Sequence, residues 1–430
     1  MSPPASRLLL ASRHLLPRHL PDGLRRNLLA SAGLQLALVT TGIAVARLLD
    51  PARRGELAVV LLLPAIAAQT VGVGGPSAAT YFIARAGADW ASAWSASRSL
   101  MLRQLAPSLL AALVLDLVFL RRYGSAVLPA AAILAPAAPL MLMQNYAAHA
   151  LQGISDFGAF SVTRMFGPTA YAVALLALLA VAPQSVGVTY IAALWLAVQV
   201  VTTLYALHRL RAKLFAVGGR ASTPTRADVR RYAVTGFLAQ ISPIETFRLD
   251  QLLVATLLSA RDVGLYAVAL AVSNPPRFVA DAVSAVAFPA VASAPQADVQ
   301  RGAMRKFVGI AAIGCVALAI ILLTVTPFVL PALFGDAYRD AVPVAMALAV
   351  SASLLSVRRV CLDCWRAMGA VGAATATELV MCLCLVTVCV LVPRLTVVGI
   401  ALLVGGVAAA ATFGQWLVMR SPRPAGRPHA

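Results

Sequence analysis

LAVVLLLPAIAAQTVGVGGPSAATYFIA, residues 57–84, runs for 28 residues without a single Asp, Glu, Lys or Arg. About 20 apolar residues in a helix cross a hydrocarbon core of roughly 30 Å, and a helix satisfies its backbone polar groups within itself, as lipid requires. Residues 28–46, 307–335 and 395–419 read the same way. These runs are continuously apolar, whereas a membrane β-barrel strand alternates apolar and polar residues, so the fold is an all-α membrane protein. Composition agrees: 60% of the 430 residues are hydrophobic and 12% charged, against about 25% charged in soluble domains.

Working outward, the hydrophobic pattern predicts about 12 transmembrane helices, near 28–48, 57–84, 104–120, 125–151, 162–182, 187–207, 232–258, 263–289, 307–329, 341–361, 374–392 and 396–418. The net charge of +19 would suit nucleic acid in a soluble protein. Here it sorts by side. With a cytoplasmic N-terminus, the basic residues of the external loops are Arg53, Arg54, Arg121, Arg122, Arg261, Arg339 and Arg394, and most of the others fall in cytoplasmic segments. That is the positive-inside pattern, so both termini are expected in the cytoplasm, with anionic lipid rather than nucleic acid as the partner of the charge. Lys213 and Lys306 are the only lysines among 35 basic residues, a bias compatible with a GC-rich bacterium and hence with a bacterial plasma membrane.

Residues 1–26 carry five arginines around short Leu runs. They show neither a long apolar core nor a cleavage site, so no cleaved signal peptide is expected; residues 5–20 read as a basic interfacial helix or a disordered basic tail. Cys315, Cys382, Cys384 and Cys389 lie inside apolar spans, and the single Cys361-x-x-Cys364 has no second pair or nearby His, so neither a disulfide framework nor a metal is expected. No nucleotide-binding loop, zinc-hydrolase motif or large external loop is present, so neither an enzyme nor a cofactor is expected.

The chain divides in the middle. A basic, turn-rich linker at 209–231 separates helices one to six (27–208) from helices seven to twelve (232–419), with a tail at 420–430. Each half opens on a basic pair, Arg25-Arg26 and Arg230-Arg231, and enters its second helix through Gly55-x-x-Ala58-Val59 or Gly264-x-x-Ala267-Val268, 209 residues apart. Six spans per half make the repeats parallel, related by an axis along the membrane normal, with a cleft between two bundles as in alternating-access transporters. Pro64 and Pro76 in span two, and Pro275 and Pro276 in span eight, are the expected hinges.

A charge at mid-bilayer costs about 2.5–3.5 kcal/mol on insertion scales and needs a partner or a wet cavity. Span seven carries Glu245, Arg248 and Asp250; one helical turn would pair Glu245 with Arg248 and leave Asp250, on the opposite face, for Arg277 of span eight, which also sits i,i+4 from Asp281. One reading makes Arg248 and Arg277 an anion site tuned by the three carboxylates, or coupled through them to a proton; the other makes the group an ion-pair network that fixes packing. Arg358 and Arg359 in span ten correspond to Gln144 and Asn145 in span four, with His149 nearby, and as a cavity lining these suit a hydroxyl-rich or phosphorylated ligand. Alternatively, Arg359 anchors the cytoplasmic boundary and His149 lies at headgroup level. Asp116, near Arg121 and Arg122, is expected to snorkel.

Ala46-Arg47-Leu48-Leu49-Asp50-Pro51 running into Arg54-Gly55-Glu56-Leu57-Ala58 resembles the first external turn of the O-antigen- and teichoic-type polysaccharide flippases, members of the multidrug/oligosaccharidyl-lipid/polysaccharide (MOP) exporter superfamily. Arg248-Leu249-Asp250, the turn Asp262-Val263-Gly264-Leu265-Tyr266-Ala267-Val268 and Phe288-Pro289 resemble the start of that family's second half. The resemblance covers residues 25–420 and implies translocation of an undecaprenyl-pyrophosphate oligosaccharide, its pyrophosphate and glycan in a cationic cavity and its tail in the bilayer. It further implies a monomer working beside a polysaccharide polymerase or glycosyltransferases. Twelve spans depart from the fourteen-helix pattern of lipid II flippases. The carboxylates of spans seven and eight keep a cation-coupled multidrug exporter as the alternative; an integral-membrane glycosyltransferase or polymerase would be expected to carry a large external loop.

Overall fold

A computed structural model describes residues 22–86, 90–181, 186–214, 225–240, 242–392 and 394–420. Residues 1–21, 215–224 and 421–430, and with them the expected interfacial helix over 5–20, the middle of the linker and all but the first residue of the tail, lie outside this range. The described residues form helices and short turns, with no strand among them. Nine helical stretches among them are long and apolar enough to cross a membrane. Their outward faces are greasy: Leu110, Leu117, Ile313, Ile320, Phe328 and Leu383 are all exposed, as lipid-facing residues are. The protein is a multi-pass membrane protein.

In the first half, α1 spans Asp22–Leu48, α2 Pro51–Gly72, α3 Gly75–Ala86, α4 Trp90–Phe119, α5 Leu128–Leu134, α6 Ala137–Gly153, α7 Phe157–Val181 and α8 Val188–Leu214. The second half contains α9 Arg226–Gln240, α10 Pro243–Thr246, α11 Leu249–Leu257, α12 Ala260–Ser273, α13 Pro275–Ala292, α14 Ala297–Phe334, α15 Ala341–Ala367, α16 Val371–Leu391 and α17 Val397–Arg420.

The halves meet reciprocally at the end away from the termini. α2 starts because Asp50 caps it, accepting from the Ala52 and Arg53 amides (2.9 and 3.1 Å), with Pro51 preset for the first turn. At the equivalent position, 209 residues on, Ser259 starts α12 in a capping box with Asp262. α2 and α12 then pack so closely that a Cβ on Gly55 would sit on the Ala260 carbonyl and one on Gly264 on the Pro51 carbonyl. A tyrosine from each half crosses over too: Tyr123 donates to the Ala255 carbonyl (2.7 Å) and Tyr338 to that of Leu49 (2.9 Å). Such pairwise exchange of roles is the signature of a two-fold axis between the halves.

Packing differs along that axis. At the sealed end one apolar core runs through both halves, joining Leu57, Val60 and Leu134 to Tyr266, Leu348 and Leu385. Toward the termini the core splits in two, one around Trp94, Tyr146 and Leu151, the other around Met304, Cys361 and Trp365. α9 bridges the two sides there: Tyr232 stacks on Tyr81 of α3 (ring centroids 4.2 Å apart), and Val229 and Ala233 bury against Ala78. At that end Asp156, in the turn before α7, caps the helix through the Ala159 amide (3.1 Å) and receives Lys213 (3.4 Å) and Arg209 (3.8 Å). Desolvation pushes its carboxyl up, but these partners outweigh it and hold the pKa below the ordinary value.

Two expectations about the spans need correction. Pro64 does not break α2, which runs through it; span two breaks at Val73-Gly74, both left-handed (φ 38° and 69°), and Pro76 follows as the second residue of α3. A Cβ on Gly74 would meet the Ala233 carbonyl at 2.5 Å, so both its dihedrals and its neighbours require glycine. Pro275 and Pro276 instead occupy the first turn of α13 after Asn274, where a missing N–H costs nothing. The interruptions therefore fall at non-equivalent depths. Span seven, expected as one helix over 232–258, is three: α9, the single turn α10 and α11, with Arg248 at φ 48° between the last two.

Candidate functional site

Between the halves lies a cavity of about 1100 Å³. Five arginines line it, Arg54, Arg164, Arg248, Arg277 and Arg359, against two carboxylates, Glu245 and Asp250. Its walls also carry the amides Gln144, Asn145 and Gln199 and the aromatic rings of Tyr171 and Trp195. The apolar face it offers toward lipid includes exposed Leu38 of α1 and Phe278 of α13.

The break in span seven rewires the charges expected there. Because α10 and α11 are separate, Glu245 and Arg248 do not share a helical face and form no pair. Glu245 is held instead by Arg359 (3.1 Å) and Arg277 (3.5 Å), and Asp281, expected beside Arg277, pairs with Arg359 (3.3 Å). Asp250 does not reach Arg277; it accepts from the Tyr266 hydroxyl at 2.7 Å. Arg248 faces the cavity from a left-handed backbone that costs a non-glycine residue about 1–3 kcal/mol; it forms no direct ion pair among the described residues, its nearest counter-charge being Asp250 two residues on, which is itself held by Tyr266. A strained cation on a cavity wall, without a direct ion pair, suits binding better than packing.

Two further expectations move out of the cavity. Arg358 turns into the second half, 2% exposed, and pairs with Glu378 of α16, which is fully buried and also accepts from Ser242 (2.7 Å) in the gap between α9 and α10. His149 lies behind the lining, its Nδ1 3.0 Å from the Thr80 hydroxyl. Gln144 stays in the cavity, its side-chain oxygen accepting from Gln199, and Asn145 lines it beside that pair.

Sequence reasoning missed Arg54, Arg164 and Glu378. Arg54 was assigned to an external loop, but the Asp50 cap starts α2 early enough to place Arg54 in its first turn, and its Nε is buried there without a hydrogen-bond partner. Arg164 lies seven residues into α7, its guanidinium 5.5 Å from the Phe160 ring centroid, and has no acidic partner among the described residues. Its signal was a lone arginine in an apolar run. Glu378 is the single acid of α16, and a buried Arg358 required one.

Residues 44–343 match a family described as polysaccharide biosynthesis protein. The chain belongs to this family. Among curated proteins, none matches the sequence. Solved structures give the fold of this polysaccharide biosynthesis protein. The lipid II flippase MurJ in an inward closed conformation has a TM-score of 0.71 at 8% identity, over 91% of this chain and 87% of that one. MATE in complex with MaL6 has a TM-score of 0.60 at 17% identity, over 91% and 95%. A MOP superfamily transporter from Pyrococcus furiosus, described as having a binding pocket of reverse polarity that suggests a different function, has a TM-score of 0.58 at 18% identity, over 91% and 94%. The fold is that of the MOP superfamily.

Proposed function

We propose that the protein flips a lipid-linked oligosaccharide, a polyprenyl pyrophosphate carrying a glycan, across the plasma membrane for envelope or capsular polysaccharide synthesis. The observation that carries this is the excess of arginine in the cavity, five against two carboxylates, above all Arg164 and Arg248, which form no direct ion pair among the described residues. Pyrophosphate is the group such unpaired guanidiniums bind best, through charge-assisted bidentate hydrogen bonds. Arg277 and Arg359, lying near it, add positive charge that Glu245 and Asp281 only partly offset.

The packing supports a cycle. With the far end sealed by the reciprocal helix contact and the cores split toward the termini, this conformation would take the headgroup from the terminal side, past α9 where it bridges the halves, while the prenyl tail stays in lipid. Rocking of the halves about their axis would break the glycine seal and release the headgroup on the other side. The cation-coupled drug exporter is the weaker reading, because Glu245 and Asp250, the carboxylates facing the cavity, are already engaged by arginines and a tyrosine. A polymerase or glycosyltransferases sharing the lipid carrier would be the functional partners, and the monomer the working unit.

The test is genetic. Arg164→Gln and Arg248→Gln should each insert normally and each cut surface polysaccharide sharply. Losing one charge-assisted contact, worth about 1.5–3 kcal/mol, weakens headgroup affinity roughly ten- to hundredfold. Normal amounts of full-length polysaccharide in both variants would refute the assignment.

A further inference from the structure

Four of the five cavity arginines fall at two depths, and Arg248, nine residues before the end of α11, lies between them at roughly 14 Å. The first turns of α2 and α12, which start at Pro51 and Ala260, pack against each other at the sealed end, Gly55 on Ala260 and Gly264 on Pro51, so helix rise counts depth from there. Arg54, three residues along α2, lies roughly 5 Å in, whereas Arg277, 17 residues beyond Ala260 across the one-residue break at Asn274, lies at most roughly 25 Å in. Arg359, 18 residues beyond Ala341, shares the deeper level at roughly 27 Å. One pyrophosphate, two linked phosphates, cannot engage both levels at once. Between them, by the same count, come Trp195 at roughly 10 Å and Tyr171 at roughly 15 Å, with the amide of Gln199, all facing the cavity. Aromatic faces and amides are the chemistry that holds sugar rings and hydroxyls.

We infer that the transported glycan is itself acidic, and that Arg54 receives a carboxylate or phosphate borne by its sugars when the pyrophosphate sits among Arg164, Arg248, Arg277 and Arg359. The buried, unpartnered Nε of Arg54 is the donor that such a group would satisfy. This rests on the flippase reading and adds the charge of the sugar part to it.

The test uses the full chain in lipid nanodiscs with two synthetic polyprenyl-pyrophosphate tetrasaccharides, alike except that one carries a uronic acid in the half distant from the lipid. The acidic ligand should bind about tenfold more tightly, the worth of one charge-assisted hydrogen bond. Arg54→Gln should bring the ratio of the two affinities to near one, and Arg54→Lys should restore part of it. Equal affinities in the unaltered protein, or an unchanged ratio in Arg54→Gln, would overturn the inference and leave the flippase reading standing. Binding of neither ligand would remove both. The comparison in the unaltered protein decides even where a variant folds poorly.

Discussion

Glu378→Ala should cost the protein about 3–5 kcal/mol of stability, because it strands a buried guanidinium without its counter-charge. Arg358 is 2% exposed and Glu378 0%, so neither can turn to water when the other is removed. Arg358→Ala should cost a similar amount, by leaving the carboxylate alone with Ser242. Replacing both at once, Arg358→Met with Glu378→Leu, should recover most of the loss, since apolar groups of similar volume carry no desolvation penalty. Thermal unfolding of the detergent-solubilised protein reads all three. Single variants as stable as the parent would show that the pair is not the buried unit described. Arg248→Gly is the contrasting case. Its left-handed φ suits glycine, so stability should hold or rise by up to about 1 kcal/mol while polysaccharide export falls. Two arginines of the second half, both expected from the sequence to bind substrate, thus separate into one that holds the fold and one that waits for a ligand.

The difference between these arginines marks where sequence reasoning stops. Runs without charge give the spans, and the 209-residue offset between Gly55 and Gly264 gives the duplication, because both follow from local composition and spacing. The two glycines go further than expected: they lie against each other's helix on the axis. The first break in span seven had a signal that the apolar run overrode, Pro243, which disfavours helix at Ser242; the second, at Arg248, had none, and the bond from Ser242 to Glu378, 136 positions away, could not be read from the sequence. Once the helix breaks there, the pairing of Glu245 with Arg248 fails; Glu245 draws Arg277 and Arg359 instead, and Asp281, on the same unbroken helix as Arg277, pairs with Arg359 while Asp250 turns to Tyr266. Arg54 was misplaced for the opposite reason, a helix that begins earlier than hydrophobicity alone indicates, through the cap at Asp50. Tyr123 and Tyr338 stand in no motif, and their reciprocal bonds to the opposite half emerge only when the halves are brought together.

Gly264→Ala should force the sealed end open. The added methyl would occupy the position of the Pro51 carbonyl oxygen and lie 3.1 Å from the Gly55 amide nitrogen, and both are backbone atoms of a capped helix start that cannot rotate aside. Gly55→Ala meets the same obstacle at Ala260 and, 2.9 Å away, at the Gly264 nitrogen. Since α2 and α12 belong to different halves, the clash is relieved by parting them, which also pulls Tyr338 from Leu49 and Tyr123 from Ala255. Ala58, one helical turn beyond Gly55 and facing the cavity, then becomes reachable from that side. In a background with the six native cysteines removed, Ala58→Cys should react with a membrane-impermeant thiol reagent applied opposite the termini at least tenfold faster when Gly264→Ala is present. Export should stop in the same variant, because a transporter that cannot close one end cannot alternate. Unchanged labelling together with normal export would mean that the two halves do not part along this glycine contact.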